Sequence, residues 1–296
     1  NNKVAAHNKG WGHGSSIVRD LSEQILAKTE CRNRYYNGKL AGSVFEVILP
    51  EEAEVSHHSK RPAFNTQTVF ELASVSKQFT AMGIVLLAKQ GKLNYDDKMS
   101  KFIPELGFYG DITIRQLLHH TAGLPDYMEL FEQNWDKTKF AVNQDIVNLL
   151  AMHKPAVLFQ PNEKYEYSNT GYALLGLIIE KASKKSFANY LKDNIFTPLK
   201  MKNTLVYRSR YAPQKIDNYA LGYVSDSLGR KVLTDSFGKS FYTYYLDGIV
   251  GDGMVNSTLG DLLLWDRALY TDKLVNTTDK SLLFTSVKTT DGNETN

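Results

Sequence analysis

The stretch that most constrains this chain runs from Phe70 to Gly91, FELASVSKQFTAMGIVLLAKQG. Phe79, Met82, Leu86 and Leu87 recur at three-to-four spacing, which predicts a helix with an apolar stripe, and Gly91 suits its C-terminal end. Ser74 and Lys77 stand at the start of this segment in an S-x-x-K pattern. Three residues are close to one helical turn, so the lysine amine lies on the same face as the serine hydroxyl. A serine needs a nearby base to become a nucleophile, and a lysine can serve once burial or a neighbouring cation lowers its pKa. Free backbone N–H groups at a helix N-terminus can in turn stabilise an oxyanion. The pattern therefore fits an acyl-enzyme chemistry, with a solvated helix start as the plain structural alternative. A second copy, Ser236 to Lys239, lies in Gly- and Tyr-rich surroundings without helical periodicity.

At 296 residues the chain exceeds the usual single-core size, so two domains or one domain with a large insertion are expected. Apolar residues at 42% and charged residues at 23% suit a globular protein. A net charge of +3 with no Lys/Arg-rich run gives no sign of a nucleic-acid partner. Cys31 is the only cysteine, so an intrachain disulfide is excluded. No apolar run reaches membrane-spanning length, and the first residues lack a signal-peptide layout, which leaves a mature exported protein open.

Residues 1–30 are glycine-rich, with His7, Trp11 and His13, and suggest short strands at 15–20 and 24–29. His7 and His13 have no third ligand at a recognisable spacing, and the pairs His57-His58 and His119-His120 point apart in any regular structure, so no metal site is expected. Residues 38–49 fit a helix slightly better than a strand, and 50–66 read as an exposed loop. Between 95 and 205 the expected elements are helical: 112–120, a helix near 143–152, one through Tyr172, Leu175, Ile179 and Ala182, and one at 187–199. After Leu205 come alternating Tyr-rich stretches, YALGYV and SFYTYYL, that read as strands. A last helix follows Ser257 or Thr258, with Leu262, Leu263, Trp265 and Leu269 apolar.

Tyr167-Ser168-Asn169 is the second chemical candidate, in a loop just ahead of a helix. A tyrosine beside an ammonium group loses its proton more readily and can relay protons to and from a serine. The asparagine can hold the lysine or a substrate amide. Tyr35-Tyr36-Asn37 has the same spacing, and a packed tyrosine capping a loop is the structural alternative.

Together LASVSKQFTAMGIVLLAKQGKL, ITIRQLLHHTAGLPDY, FQPNEKYEYSNTGYALLGLIIEKAS and GDGMVNSTLGDLLLW, in this order, resemble the class C β-lactamase-like serine hydrolases. That family spans β-lactamases, penicillin-binding D,D-peptidases, D-amino-acid amidases and esterases. The resemblance covers about residues 66–296. It implies a mixed α/β (α+β) fold, an antiparallel sheet flanked by helices and joined to an all-helical subdomain. Residues 1–94 and 206–296 would form the sheet domain and 95–205 the helical one. It further implies Ser74 as the acylated nucleophile, Lys77 as the motif lysine, Tyr167 as proton relay and Asn169 as the substrate-orienting amide. No cofactor is implied, the partner is a small-molecule or peptide substrate, and the family expectation is an exported, for example periplasmic, protein. Oligomeric state is left open. Absence of G-x-S-x-G argues against the α/β-hydrolase alternative.

The family's third motif, K-[ST]-G or H-x-G, has no counterpart after GDGMVNST. NNKVAAHNKGWGHGSSIVRDL resembles the segment around that motif, which suggests a circularly permuted order with His7 as the substrate-binding third-motif residue. A divergent N-terminal region and a numbering that departs from the natural chain are the alternatives. The rival to a hydrolase is a non-catalytic ligand-binding or sensor protein that keeps the penicillin-binding fold. The imperfect third motif leans away from an efficient β-lactamase.

Overall fold

The computed structural model describes residues 31–36 and 39–45 as backbone strands, and residues 64–279 and 285–295 in full. The chain divides into two compact units. One comprises 1–65 with 221–236, and the other 66–220 with 237–296.

In the first unit, β1 (Cys31–Tyr36) pairs antiparallel with β2 (Lys39–Phe45). The helix expected over 38–49 is therefore replaced by a strand across 39–45. An even spacing such as that of Leu40 and Val44 does not by itself separate a helix from a strand. The expected strands at 15–20 and 24–29, and His7 itself, lie outside the described residues. A second hairpin of the same unit joins β5 (Tyr223–Ser225) to β6 (Lys231–Leu233), and Asp226 Oδ1 closes its turn by accepting from the Leu228 and Arg230 amides.

Among the described residues, the second unit carries the α-helices and a three-stranded antiparallel sheet. β3 (Phe70–Glu71) and β4 (Leu205–Val206) flank β7 (Val255–Ser257). A 3-10 turn at Ala73–Ser76 leads from β3 into α1 (Lys77–Lys89). Then come α2 (Ile114–Leu118), α3 (Tyr127–Asn134), α4 (Asn143–His153), α5 (Asn169–Ser183) and α6 (Phe187–Leu191). A π-helical turn at Lys192–Phe196 extends α6, so the region expected as one helix has two windings. α7 (Tyr242–Tyr245) occupies the stretch read as a Tyr-rich strand, and α8 (Leu259–Leu269) starts on the Thr258 cap.

Local chemistry explains the starts. Thr113 and Gln116 form a reciprocal capping box on α2, and Asp126, Ser168 and Thr258 each accept an amide of the first turn of α3, α5 and α8. α5 is the central element. Every residue from Thr170 to Ile179 is buried, so it is apolar all round rather than striped. Each large aliphatic side chain enclosed this way contributes about 1.5–3 kcal/mol. Phe79 of α1 is fully buried against Phe196 at 5.6 Å and Trp265 at 4.5 Å between ring centroids, which ties α1 to the π-helical turn and to α8.

Candidate active site

The strand-to-helix junction that carries Ser74 is held at one residue of β7. Leu72 donates its amide to the Val255 carbonyl at 2.9 Å, and the buried Ser76 hydroxyl accepts the Val255 amide at 3.0 Å. Between these anchors Ala73 takes φ +44, an unusual conformation for a residue with a Cβ. Ser74 follows immediately, lifted out of the sheet at the head of the 3-10 turn.

Lys77, with only 6% of its surface exposed, is the hub. Its Nζ donates to Ser74 Oγ at 3.2 Å, Asn169 Oδ1 at 2.9 Å and the Asp252 carbonyl at 2.8 Å. Those three acceptors use all three N–H bonds of an ammonium group. The same nitrogen lies 4.8 Å from the ring centroid of Tyr167 and 5.6 Å from that of Tyr172. Ser74, Lys77, Tyr167 and Asn169 are thus brought together from two separate stretches of sequence, and Asp252 joins them from a third. The decoy copy differs. Ser236 Oγ donates to the Leu233 carbonyl in an exposed turn, and Lys239 lies over the ring of Tyr244.

Asn169 is placed by its neighbour. Ser168 caps α5 by accepting the Gly171 amide at 3.0 Å, which makes Asn169 the first helical residue. Thr170 then accepts the Tyr127 amide at 2.8 Å and donates to the Pro125 carbonyl at 2.7 Å, fastening the TAGLPDY loop to α5. The turn carrying Asp252 presses on the same helix. Gly251 has φ +103, and a Cβ there would meet the Tyr172 carbonyl at 2.5 Å and Gly176 Cα at 3.0 Å. Only glycines at 176 and 251 allow this approach. Thr80 donates to the Gly251 carbonyl at 2.7 Å and fixes the turn from the α1 side.

The charges around Lys77 are biased. Burial raises the Asp252 carboxyl pKa, opposed by the Lys77 charge and by the 2.8 Å hydrogen bond that Tyr127 donates to it. His120 is pushed down to about 4 by burial, then by Lys77 and His119. Among the described residues no cluster of three or more His, Cys, Asp or Glu stands ready to hold a metal. His7, the sequence candidate for the third motif, lies outside the described residues.

A family model described as Beta-lactamase matches residues 35–295. The chain belongs to the beta-lactamase family. Penicillin-binding protein 4* of Bacillus subtilis is 44% identical over 271 residues, 91% of this chain and 60% of that protein. A penicillin-binding protein structure from Bacillus halodurans superposes with a TM-score of 0.63 at 30% identity, covering 75% of this chain and 65% of that one. The D-amino acid amidase of Ochrobactrum anthropi SV3, solved with L-phenylalanine amide, gives a TM-score of 0.59 at 29% identity over 73% of this chain and 60% of the amidase. The chain thus spans less than two thirds of the length of each. These likenesses bear out the expected mixed fold of antiparallel sheet and helices. The family match starts at residue 35, inside the segment that a permuted order would assign to the family's closing strand and terminal helix, so the match does not call for permutation.

Several residues of this beta-lactamase-family site carry no signature in the sequence. Asp252, Tyr127, Thr170 and His120 each reach it through a partner far along the chain. A buried Asn143 does similar work behind the site. It donates to the Ala173 and Val250 carbonyls at 2.7 Å each and accepts the Val250 amide at 3.0 Å. Turn residues in GDGM and HTAGLP hint at such tight approaches, but the partners themselves are legible only in three dimensions.

Proposed function

We propose that this chain is a serine hydrolase that opens an amide, lactam or ester through an acyl-enzyme on Ser74. The observation that carries the reading is the convergence of Lys77 Nζ on Ser74 Oγ and Asn169 Oδ1 beneath the ring of Tyr167. Ser74 Oγ accepts from Lys77, which favours negative charge on that oxygen as its own proton leaves. The proton passes to the one unprotonated member of the Lys77–Tyr167 pair, either a Tyr167 phenolate beside the Lys77 ammonium or a Lys77 amine beside the neutral phenol. The oxygen attacks the carbonyl carbon, and the Ser74 amide stabilises the resulting oxyanion. Collapse expels the amine or alkoxide, which takes a proton relayed by Tyr167. A water then attacks the ester by the reverse route and releases the acid, restoring Ser74. Asn169 orients the substrate amide and holds Lys77.

The relatives named penicillin-binding protein and D-amino acid amidase support amide and lactam substrates. The finer placement with class C β-lactamases belongs to the same proposal and rests on the four ordered motifs. So does the division into a sheet domain (1–94 and 206–296) and a helical subdomain (95–205), supported by the helices between 114 and 196. No observation favours the non-catalytic reading.

The test is turnover of a panel containing a penicillin, a peptide ending in D-Ala-D-Ala, a D-amino acid amide and a nitrophenyl ester. Hydrolysis of at least one, lost in Ser74→Ala, is expected. A Ser74→Ala protein as active as the parent on every member would contradict the reading.

A further inference from the structure

We infer that His120 is the positioning residue for Tyr167, holding the Tyr167–Asn169 turn as a neutral hydrogen-bond acceptor and as the middle ring of an aromatic stack. This rests on the acyl-enzyme reading of Tyr167 and adds a residue to it.

The grip has two points. His120 Nδ1 accepts the Ser168 amide at 3.0 Å, and the His120 carbonyl accepts the Glu166 amide at 3.0 Å, so both neighbours of Tyr167 are tied to one residue. The imidazole also stacks on Tyr167 at 4.8 Å and 28°, and on Tyr172 at 4.9 Å and 29°, with Tyr165 edge-on at 5.7 Å. Tyr172 is itself fixed, donating to the Leu118 carbonyl at 3.1 Å. The tyrosine ring is thereby clamped against a surface that α5 holds rigid. His120 has φ +59, and this left-handed backbone aims the ring back at the turn.

Only the neutral ring can do this. With Nδ1 accepting, the proton sits on Nε2. A second proton would remove the acceptor and place a cation beside Lys77. The charged and titratable groups that face the ring are Lys77 from α1, the neighbouring His119, Tyr165 and Tyr167 from the loop, and Tyr172 from α5. Burial, Lys77 and His119 all keep the ring unprotonated down to about 4. The acceptor is therefore present throughout the neutral range.

Two substitutions separate the parts. His120→Asn keeps an acceptor at the Nδ1 position and tolerates positive φ, whereas His120→Phe keeps a ring and removes the acceptor. Acylation of Ser74 by a penicillin or a fluorophosphonate is followed by rapid-quench mass spectrometry, with hydrogen exchange at the Ser168 amide measured on the same proteins. We expect His120→Phe to slow acylation about tenfold or more without a matching change in reagent affinity, because misplacing a reacting group costs rate. Ser168 exchange should accelerate, and His120→Asn should recover most of both. If His120→Phe acylates as fast as the parent, or Ser168 exchanges no faster in it, the inference is overturned while Ser74 keeps its role. If the parent is not acylated, the hydrolase reading fails, and the exchange result alone decides whether His120 holds the turn.

Discussion

In the proposed reaction, Lys77 supplies charge at the site and His120 supplies position. Lys77 is nearly buried and spends its three N–H bonds on Ser74, Asn169 and Asp252. Lys77→Ala leaves the Asn169 and Asp252 oxygens without their donor and removes the cation next to Ser74. Stopped-flow or rapid-quench acylation should fall by about 10²–10⁴-fold, the usual span for a general acid–base group. His120 gives a second, pH-dependent expectation. Its folded pKa of about 4 lies below the ordinary histidine value of 6.5. The unfolded chain therefore takes up the proton first. The stability from keeping His120 neutral is complete above about pH 6.5 and is lost as pH falls toward about 4. The full shift corresponds to at most about 3 kcal/mol. Asp126 and Asp252, whose pKa values burial raises, work in the opposite sense and blunt the loss. Urea unfolding of the parent and His120→Asn at about pH 7 and about pH 4.5 checks this. The parent should lose more stability between the two conditions than the variant.

At the scale of elements, the site depends on how closely the 250–252 turn approaches α5. Gly251→Ala forces a methyl group into the Tyr172 carbonyl at positive φ, and should cost about 2 kcal/mol or more while moving the Asp252 carbonyl off Lys77. Asn143→Ala strips three hydrogen bonds from the same interface and should cost about 2–3 kcal/mol in denaturant unfolding. Such contacts also mark the limit of what the sequence could tell. Helices with an apolar stripe or a cap, such as α1, α4, α5 and α8, were legible from spacing, whereas Ser74, Lys77, Tyr167 and Asn169 stood out from the copies at Ser236–Lys239 and Tyr35–Asn37 only through the four motifs taken together. SFYTYYL misled because aromatic residues favour strands. α7 is a single turn of four residues, too short to show a helical period. α3 hides behind a loop-like TAGLPDY, although Asp126 as cap with Tyr127 and Phe131 one turn apart announces it. For β1 and β2 the sign was Asn37-Gly38 between two short runs. His120 offered none, since its partner Ser168 is 48 residues away.

For the whole molecule, the organising fact is that Ser74, Lys77, His120, Tyr167, Asn169 and Asp252 all belong to the unit of 66–220 with 237–296. One continuous core supports them, running from Phe79 through Tyr172 to Trp265. Phe79→Ala, at a fully buried ring between Phe196 and Trp265, should lower stability by about 3–5 kcal/mol in thermal or denaturant unfolding. It lies two residues beyond Lys77, so labelling of Ser74 should decline together with the folded fraction. The central claim is that this core presents Ser74 as a nucleophile. Intact mass after incubation with a penicillin and, separately, with a fluorophosphonate, followed by peptide mapping, tests it most directly. We expect one adduct, on the peptide containing Ser74, absent in Ser74→Ala and formed much more slowly in Lys77→Ala. No adduct from either reagent, or an adduct that persists in Ser74→Ala, would contradict the account.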